Sequence, residues 1–225
     1  MPDDARDARV GAFFDLDHTV LSESSSILWV RYLRRQGRVN GRQMLRFAWW
    51  ALRYRLALID MVAITRGLVA DMKGQSEAEL AAECDRWFDE MVAPCIAQRA
   101  RECVGEHLAR GHVVALLTAS SPYVAGPVAR SLGLGDRFIC TRLEVVDGVF
   151  TGRCVEPVCY GPGKLHWARA FAAEHRVDLA RSYFYTDSYT DLPMLEAVGH
   201  PVVVNPDPRL RRRARNMGWP EVEFF

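Results

Sequence analysis

Residues 24–90 carry apolar side chains at helical spacing with no alternating run, while the sequence on either side is organised differently. Before that block stands one short apolar run, Val10 to Phe14, which stops at Asp15 and Asp17. After it, apolar runs and helical stretches alternate, beginning with a helix that Pro94 can start, running through Leu108 and closed by Gly111. His112 to Leu117 has five apolar members in six, and a helix is expected from Pro122 to about Gly133. A short strand at Arg137 to Cys140 follows, then a hairpin over Glu144 to Val155 turning at Asp147-Gly148. A helix over Lys164 to His175, a strand over Ser182 to Thr186, a helix over Leu192 to Val198 and a strand over Pro201 to Val204 complete the pattern. Alternation of this kind predicts an α/β fold: a Rossmann-like parallel sheet with helices on both faces. The helical block has no strand to pair, so it is expected to be an inserted helical cap. The partition reads as a core of residues 1–21 and 94–225 and a cap of 22–93, with Ser76 and Glu79 as a capping box inside it.

Composition narrows the classes of function. A net charge of +1 over 225 residues offers no general attraction to nucleic acid or anionic membrane. No run of 18 apolar residues is present, and the opening MPDDARDARV is acidic, unlike a secretory leader. Six cysteines, none in a CxxC pair, read as reduced and mostly buried thiols in a cytoplasmic protein. From Arg31 to Arg55 eight arginines are interleaved with Tyr32, Phe47, Trp49, Trp50 and Tyr54. Aromatics packing the cap while arginines face water is the preferred reading of that stretch.

Ligands of parallel sheets bind at the carboxyl ends of strands. Three expected strands end there in polar residues: Asp15, Thr118 and Asp187. Asp15-Leu16-Asp17-His18-Thr19 can project two carboxylates into one pocket. Thr118-Ala119-Ser120, running into a helix that begins near Pro122, can cradle an anion with a hydroxyl and main-chain amides. Lys164, after Gly161-Pro162-Gly163, sits where the helix dipole opposes a cation, which calls for an anionic partner. Asp187 to Asp191 places two acids four apart after a strand. Each cluster alone has a bland reading as a turn, a cap or a solvated side chain.

Taken together and in this order, DxDxT, the hydroxyl, the lysine and DxxxD resemble the haloacid dehalogenase superfamily of phosphohydrolases, and more closely its phosphoserine phosphatase-like branch. The resemblance covers essentially the whole chain. It implies a phosphatase acting through an aspartyl phosphate, with Asp15 as nucleophile and Asp17 as general acid and base. Thr118 and Lys164 would bind phosphoryl oxygens beside Ala119 and Ser120, Thr19 would hold the first turn, and Asp191 would hold Lys164. Mg²⁺ would be bound by the Asp15 carboxylate, the Asp17 main-chain carbonyl and Asp187. The partner implied is a small phosphorylated metabolite such as a phosphoserine, a histidinol phosphate or another phospho-amino-alcohol, and not a nucleic acid or a membrane. Two departures stand out. The family's substrate-binding glutamate falls at Ser24, with Glu23 one residue early, and Thr190 replaces the asparagine of the fourth motif. Glu23 and Arg66 are the candidate selectors of the leaving alcohol. A phosphotransferase or mutase using the same aspartyl phosphate, and a binding protein on a retained fold, are the alternatives.

Overall fold

The computed structural model describes residues 8–38 and 60–225. Most of the arginine and aromatic stretch between Arg31 and Arg55 therefore lies outside the described residues. Among those described, a six-stranded sheet runs in the order β3-β2-β1-β6-β7-β8, with every pairing parallel. Its strands are β1 (Arg9–Phe14), β2 (Val113–Leu117), β3 (Phe138–Ile139), β6 (Val177–Thr186), β7 (His200–Val204) and β8 (Glu221–Val222). Strands β4 (Leu143–Val146) and β5 (Val149–Cys154) form a separate antiparallel hairpin. Asp147 and Gly148 at its tip both have positive φ, 52° and 76°, as a turn matching strand twist requires.

β1 lies between β2 and β6 and loses water on both faces, which is why its sequence is a continuous apolar run. Its side chains still alternate. Ala12 and Phe14 enter one apolar cluster, where Phe14 stacks on Tyr185 at 4.4 Å between centroids, while Phe13 enters the other. The first cluster is closed by α4 (Gln98–Ala109) and α5 (Pro122–Ser131), and by Leu28 and Tyr32 of α1 (Ser25–Arg35) and Trp87 of α3 (Glu77–Trp87). The second is closed by α6 (Pro162–His175), α7 (Leu192–Leu195) and α8 (Pro208–Met217). The doubly covered parallel sheet is the expected architecture.

Three departures have physical causes. β6 begins at Val177, five residues before the expected Ser182. The extension is hidden because residues 178–181, Asp-Leu-Ala-Arg, break the apolar run at a pairing irregularity, where the Gly11 amide donates to Ser182 Oγ at 2.8 Å in place of a regular ladder bond. A side chain on Gly11 would meet Val177 Cγ1 at 2.7 Å and Phe13 Cε2 at 2.9 Å, so any other residue there forces those buried side chains to shift. The last helix and strand, α8 and β8, were not expected. Five arginines in α8 mask an apolar contact confined to Leu210 and Ala214. Thirdly, the expected helix from Pro94 begins only at Gln98, after a 3-10 turn at Ala93–Cys95.

Between β1 and α4 the described elements are helical: α1, α2 (Met61–Ala70), α3, and a π-turn over Phe88–Val92. None pairs into the main sheet. One short segment instead lies along the hairpin. The Gly74 amide donates to the Phe150 carbonyl, the Phe150 amide to Gln75, and the Glu77 amide to Gly148, all at 2.9–3.0 Å. The Ser76 hydroxyl accepts from the Glu79 amide at 3.4 Å, as the capping box implies. All six cysteines are free thiols; Cys84, Cys140 and Cys159 are buried and the other three half-buried. No helix among the described residues is long and apolar enough to cross a membrane.

Behind Phe14 lies a polar knot inside the first cluster. His107 is 3% exposed, and its two ring nitrogens meet His112 Nδ1 at 2.7 Å and the Tyr185 hydroxyl at 2.8 Å. Burial, then the neighbouring His112 and Arg110, lower its pKa from 6.5 to about 4. The folded protein thus keeps His107 neutral where the unfolded chain takes up a proton. Stability therefore falls as pH drops from about 6.5 toward 4. Urea unfolding across that window should show a shallower decline in His107→Gln than in the parent, the slopes differing by up to about 1.4 kcal/mol per pH unit.

Candidate active site

The carboxyl ends of β1, β2 and β6 deliver Asp15, Thr118 and, just past β6, Asp187 to one end of the sheet. Parallel pairing makes this unavoidable: Phe14 aligns with Leu116 on one side and Tyr185 on the other. The Asp15 amide donates to the Tyr185 carbonyl at 2.9 Å, continuing the ladder to the site's edge. Beyond it the chain turns sharply, with His18 at φ 55° and the Leu21 amide returning to the Leu16 carbonyl at 2.8 Å.

Lys164 reaches into this end from the first turn of α6. Its Nζ is 2.8 Å from Asp15 Oδ1 and 2.7 Å from Asp191 Oδ2, with the lysine only 3% exposed. The approach depends on Gly163, where a Cβ would sit 1.9 Å from the Val158 carbonyl oxygen. Gly161, at φ 53°, opens the helix. Thr186 ties the acids together, donating to Asp191 Oδ2 at 2.7 Å and standing 3.5 Å from Asp15 Oδ2. Thr19 closes the other side: its hydroxyl accepts from the Asp187 amide at 3.1 Å and stands 3.4 Å from Asp187 Oδ1.

Asp17 points elsewhere. Its Oδ1 accepts from the Ser25 amide at 2.7 Å and its Oδ2 from the Ser25 hydroxyl at 3.0 Å, with Ser120 Oγ at 3.4 Å. Thr118 is buried, and its hydroxyl oxygen accepts from the Ser120 amide at 3.1 Å, which leaves the hydroxyl proton to donate elsewhere. The Ala119 carbonyl is held by the Thr141 hydroxyl at 2.8 Å. Thr190 is bound to Ser188 Oγ at 2.9 Å.

Two sequence candidates stand apart from this cluster. Glu23 is ion-paired with Arg31, both substantially exposed. Arg66 is paired with Glu156 at 2.8 Å, again at the surface. Conversely, Ser25, Thr186 and Thr141 hold the cluster and were not singled out in the sequence. Single hydroxyls carry no spacing signal, and for Ser25 a run of adjacent serines obscures which one turns inward.

The electrostatics follow from burial. Loss of water pushes the carboxyl of Asp15 upward, against the pull of Lys164 and with the push of Asp191. Burial, then the charges of Asp15 and Asp191, push Asp187 up in the same way. Burial also raises Asp17, opposed by the Ser25 hydrogen bonds. Lys164 is held charged: two carboxylates outweigh its desolvation. One ammonium thus faces three carboxylates in a dry site, an excess of negative charge that a cation would relieve. No group of three acidic, histidine or cysteine side chains among the described residues could hold a metal unaided. The donor set fits a hard cation that draws its remaining oxygens from main chain, substrate and water, as Mg²⁺ does.

With that geometry in place, comparison with known proteins is direct. Residues 12–196 match the model of the haloacid dehalogenase-like hydrolase family. The chain is 38% identical over 223 residues to phosphoserine phosphatase SerB1 of Mycobacterium tuberculosis, covering 97% of this chain and 72% of that protein. It is 30% identical over 218 residues to the histidinol-phosphatase of Neisseria meningitidis, covering 95% and 98%. A crystal structure of a protein of unknown function from Bordetella pertussis superposes with a TM-score of 0.87 at 33% identity, covering 97% of this chain and all of that one. The chain belongs to the haloacid dehalogenase-like hydrolase family. Within it, the chain is a phosphoric monoester hydrolase.

The Gly163 contact is testable by itself. Gly163→Ala should lower unfolding free energy by about 1–3 kcal/mol, the usual cost of overpacking, and depress turnover further by moving Lys164. Denaturant melts together with steady-state rates check both.

Proposed function

We propose that the chain is a Mg²⁺-dependent phosphatase that hydrolyses a small-molecule phosphate monoester through a phosphorylated Asp15. The observation that carries this reading is the buried Asp15–Lys164–Asp191 bridge at the carboxyl end of the central strand, flanked by Thr118 and Asp187. A carboxylate is a modest nucleophile, and phosphoryl transfer depends chiefly on alignment and charge neutralisation. In this reading one Asp15 oxygen attacks phosphorus while the bond to the leaving alkoxide breaks. Asp17 gives that alkoxide its proton. Asp17 then takes a proton from water, whose oxygen attacks the same phosphorus and releases Asp15 and inorganic phosphate.

Lys164 and the Thr118 hydroxyl, with the amides near Ala119 and Ser120, hold the non-bridging oxygens throughout. Asp191 and Thr186 keep the lysine from swinging away, and Thr19 keeps Asp187 facing the site. The Asp15 and Asp187 carboxylates and the Asp17 carbonyl would hold Mg²⁺, which when bound neutralises phosphate charge and the excess of carboxylates. We assign residues 1–21 and 94–225 to the catalytic core and 22–93 to the cap that selects the leaving alcohol. The named activities of the two relatives support phosphorylated amino alcohols as the substrate class, phosphoserine and histidinol phosphate among them. Glu23 would have to leave Arg31 to meet an ammonium group, so its part in selection requires an exchange of partners.

Asp15→Asn should cost at least about 4 kcal/mol of transition-state stabilisation, roughly a thousandfold in rate. Excess chelator should abolish turnover, and added Mg²⁺ should restore it. Assays of phosphate release from phosphoserine, histidinol phosphate and p-nitrophenyl phosphate measure both. Full activity in either condition overturns the mechanism.

A further inference from the structure

Helix α1 begins without a cap of its own. Its N-cap residue, Ser24, makes no side-chain hydrogen bond to the first turn. The acceptor is supplied from the loop after β1: the Asp17 carboxylate takes the Ser25 amide at 2.7 Å on one oxygen and the Ser25 hydroxyl at 3.0 Å on the other. Ser25 is itself 3% exposed, and its hydroxyl is also 3.0 Å from that of Ser120, on the loop leading into α5. Asp17 is thereby clamped at both oxygens by the first residue of α1, and Ser120 braces the clamp from the core.

Building on the proposed function, we propose that Ser25 is the positioning residue for leaving-group protonation, so that seating of α1 sets the geometry of the Asp17 carboxyl. An aspartate has two rotatable side-chain bonds, and a proton donor works only when its oxygen is within hydrogen-bond reach of the departing atom. Here that freedom is removed by a main-chain amide and a hydroxyl from one residue, a fork that follows the helix if the helix moves. Lys164 and Asp191 hold Asp15 independently of this contact, so phosphoryl binding and nucleophilic attack do not rest on Ser25. The serine acts wherever Asp17 acts, and its effect on the proton delivered to the alkoxide is the part that can be read separately.

Two substrates separate that role from a general structural one. Departure of p-nitrophenolate needs little proton assistance; departure of an alkoxide needs it fully. The ratio kcat/KM reports events up to departure of the leaving group and is blind to the later hydrolysis of the phosphorylated enzyme. Ser25→Ala should reduce kcat/KM by at least about tenfold for whichever of phosphoserine and histidinol phosphate the parent hydrolyses better, the consequence of losing one charged hydrogen bond. For p-nitrophenyl phosphate the change should stay within about threefold, and melting temperature should stay near that of the parent. Ser25→Thr, which keeps the hydroxyl, should recover most of the loss. Ser25→Cys, close in size with a weak donor, should resemble alanine and serves if the alanine variant does not fold. Equal losses on both substrates, no loss on either, or failure of threonine to rescue would overturn the assignment while leaving the phosphatase reading intact. A parent enzyme that releases phosphate from none of the three substrates would instead overturn the phosphatase reading, and this inference with it.

Discussion

A single buried ammonium organises the functional end of this molecule. Lys164 is enclosed between Asp15 and Asp191, and a lysine this far from water is tolerable only with carboxylates at contact distance. The requirement propagates outward. Gly163 must lack a side chain so that α6 can start against the Val158 carbonyl, and Thr186 donates to the same Asp191 oxygen that meets Lys164, which keeps that carboxylate turned toward the lysine. Three strands must then end at one level to bring Asp15, Thr118 and Asp187 around the same point. Parallel pairing about β1 does this with no further device.

The surplus of carboxylates is costly for folding and useful for function. Desolvated acids in excess of their counter-charge resist ionisation, which is the direction taken by Asp15 and Asp187. A site of this kind is relieved by anything that brings positive charge, and carboxylate oxygens as donors suit a hard cation. The remaining acid, Asp17, is separated from that competition by geometry. It turns away from Lys164 toward Ser25, and a carboxylate satisfied by a helix N-terminus keeps a fixed orientation. Two acids one residue apart thus acquire different surroundings from the elements they meet, one a lysine on α6 and the other a serine on α1.

The helical insertion is not isolated from the sheet that carries the site. Leu28, Tyr32 and Trp87 share an apolar cluster with Phe14, so the ordering of α1 and α3 is bound to the packing of the central strand. The strip at residues 74–77 adds main-chain hydrogen bonds to the β4–β5 hairpin, and Tyr123 of α5 donates to Glu77 at 2.9 Å.

Much of the fold was legible in the sequence because burial on both faces demands uninterrupted apolar runs, and β1 and β2 have them. The DxDxT stretch, Thr118, Lys164 and the Asp187–Asp191 pair were legible as a set in that order, since each alone reads equally well as a turn, a cap or a solvated side chain. The pairing irregularity in β6 was not, since a bridging serine hydroxyl leaves no periodic trace; the α8–β8 ending was missed although Leu210 and Ala214 stand one turn apart between Asp207 and Gly218. Glu23 and Arg66 show the opposite limit. Each lay near the right place in the chain, yet each is spent on a surface ion pair whose partner could not be foreseen. The sequence by itself determined which polar residues gather at the carboxyl ends of the strands and the order in which the strands deliver them. Only the tertiary structure decided who holds whom, Ser25 on Asp17 and Thr186 on Asp191, because a hydroxyl's partner is chosen by three-dimensional proximity and not by spacing along the chain.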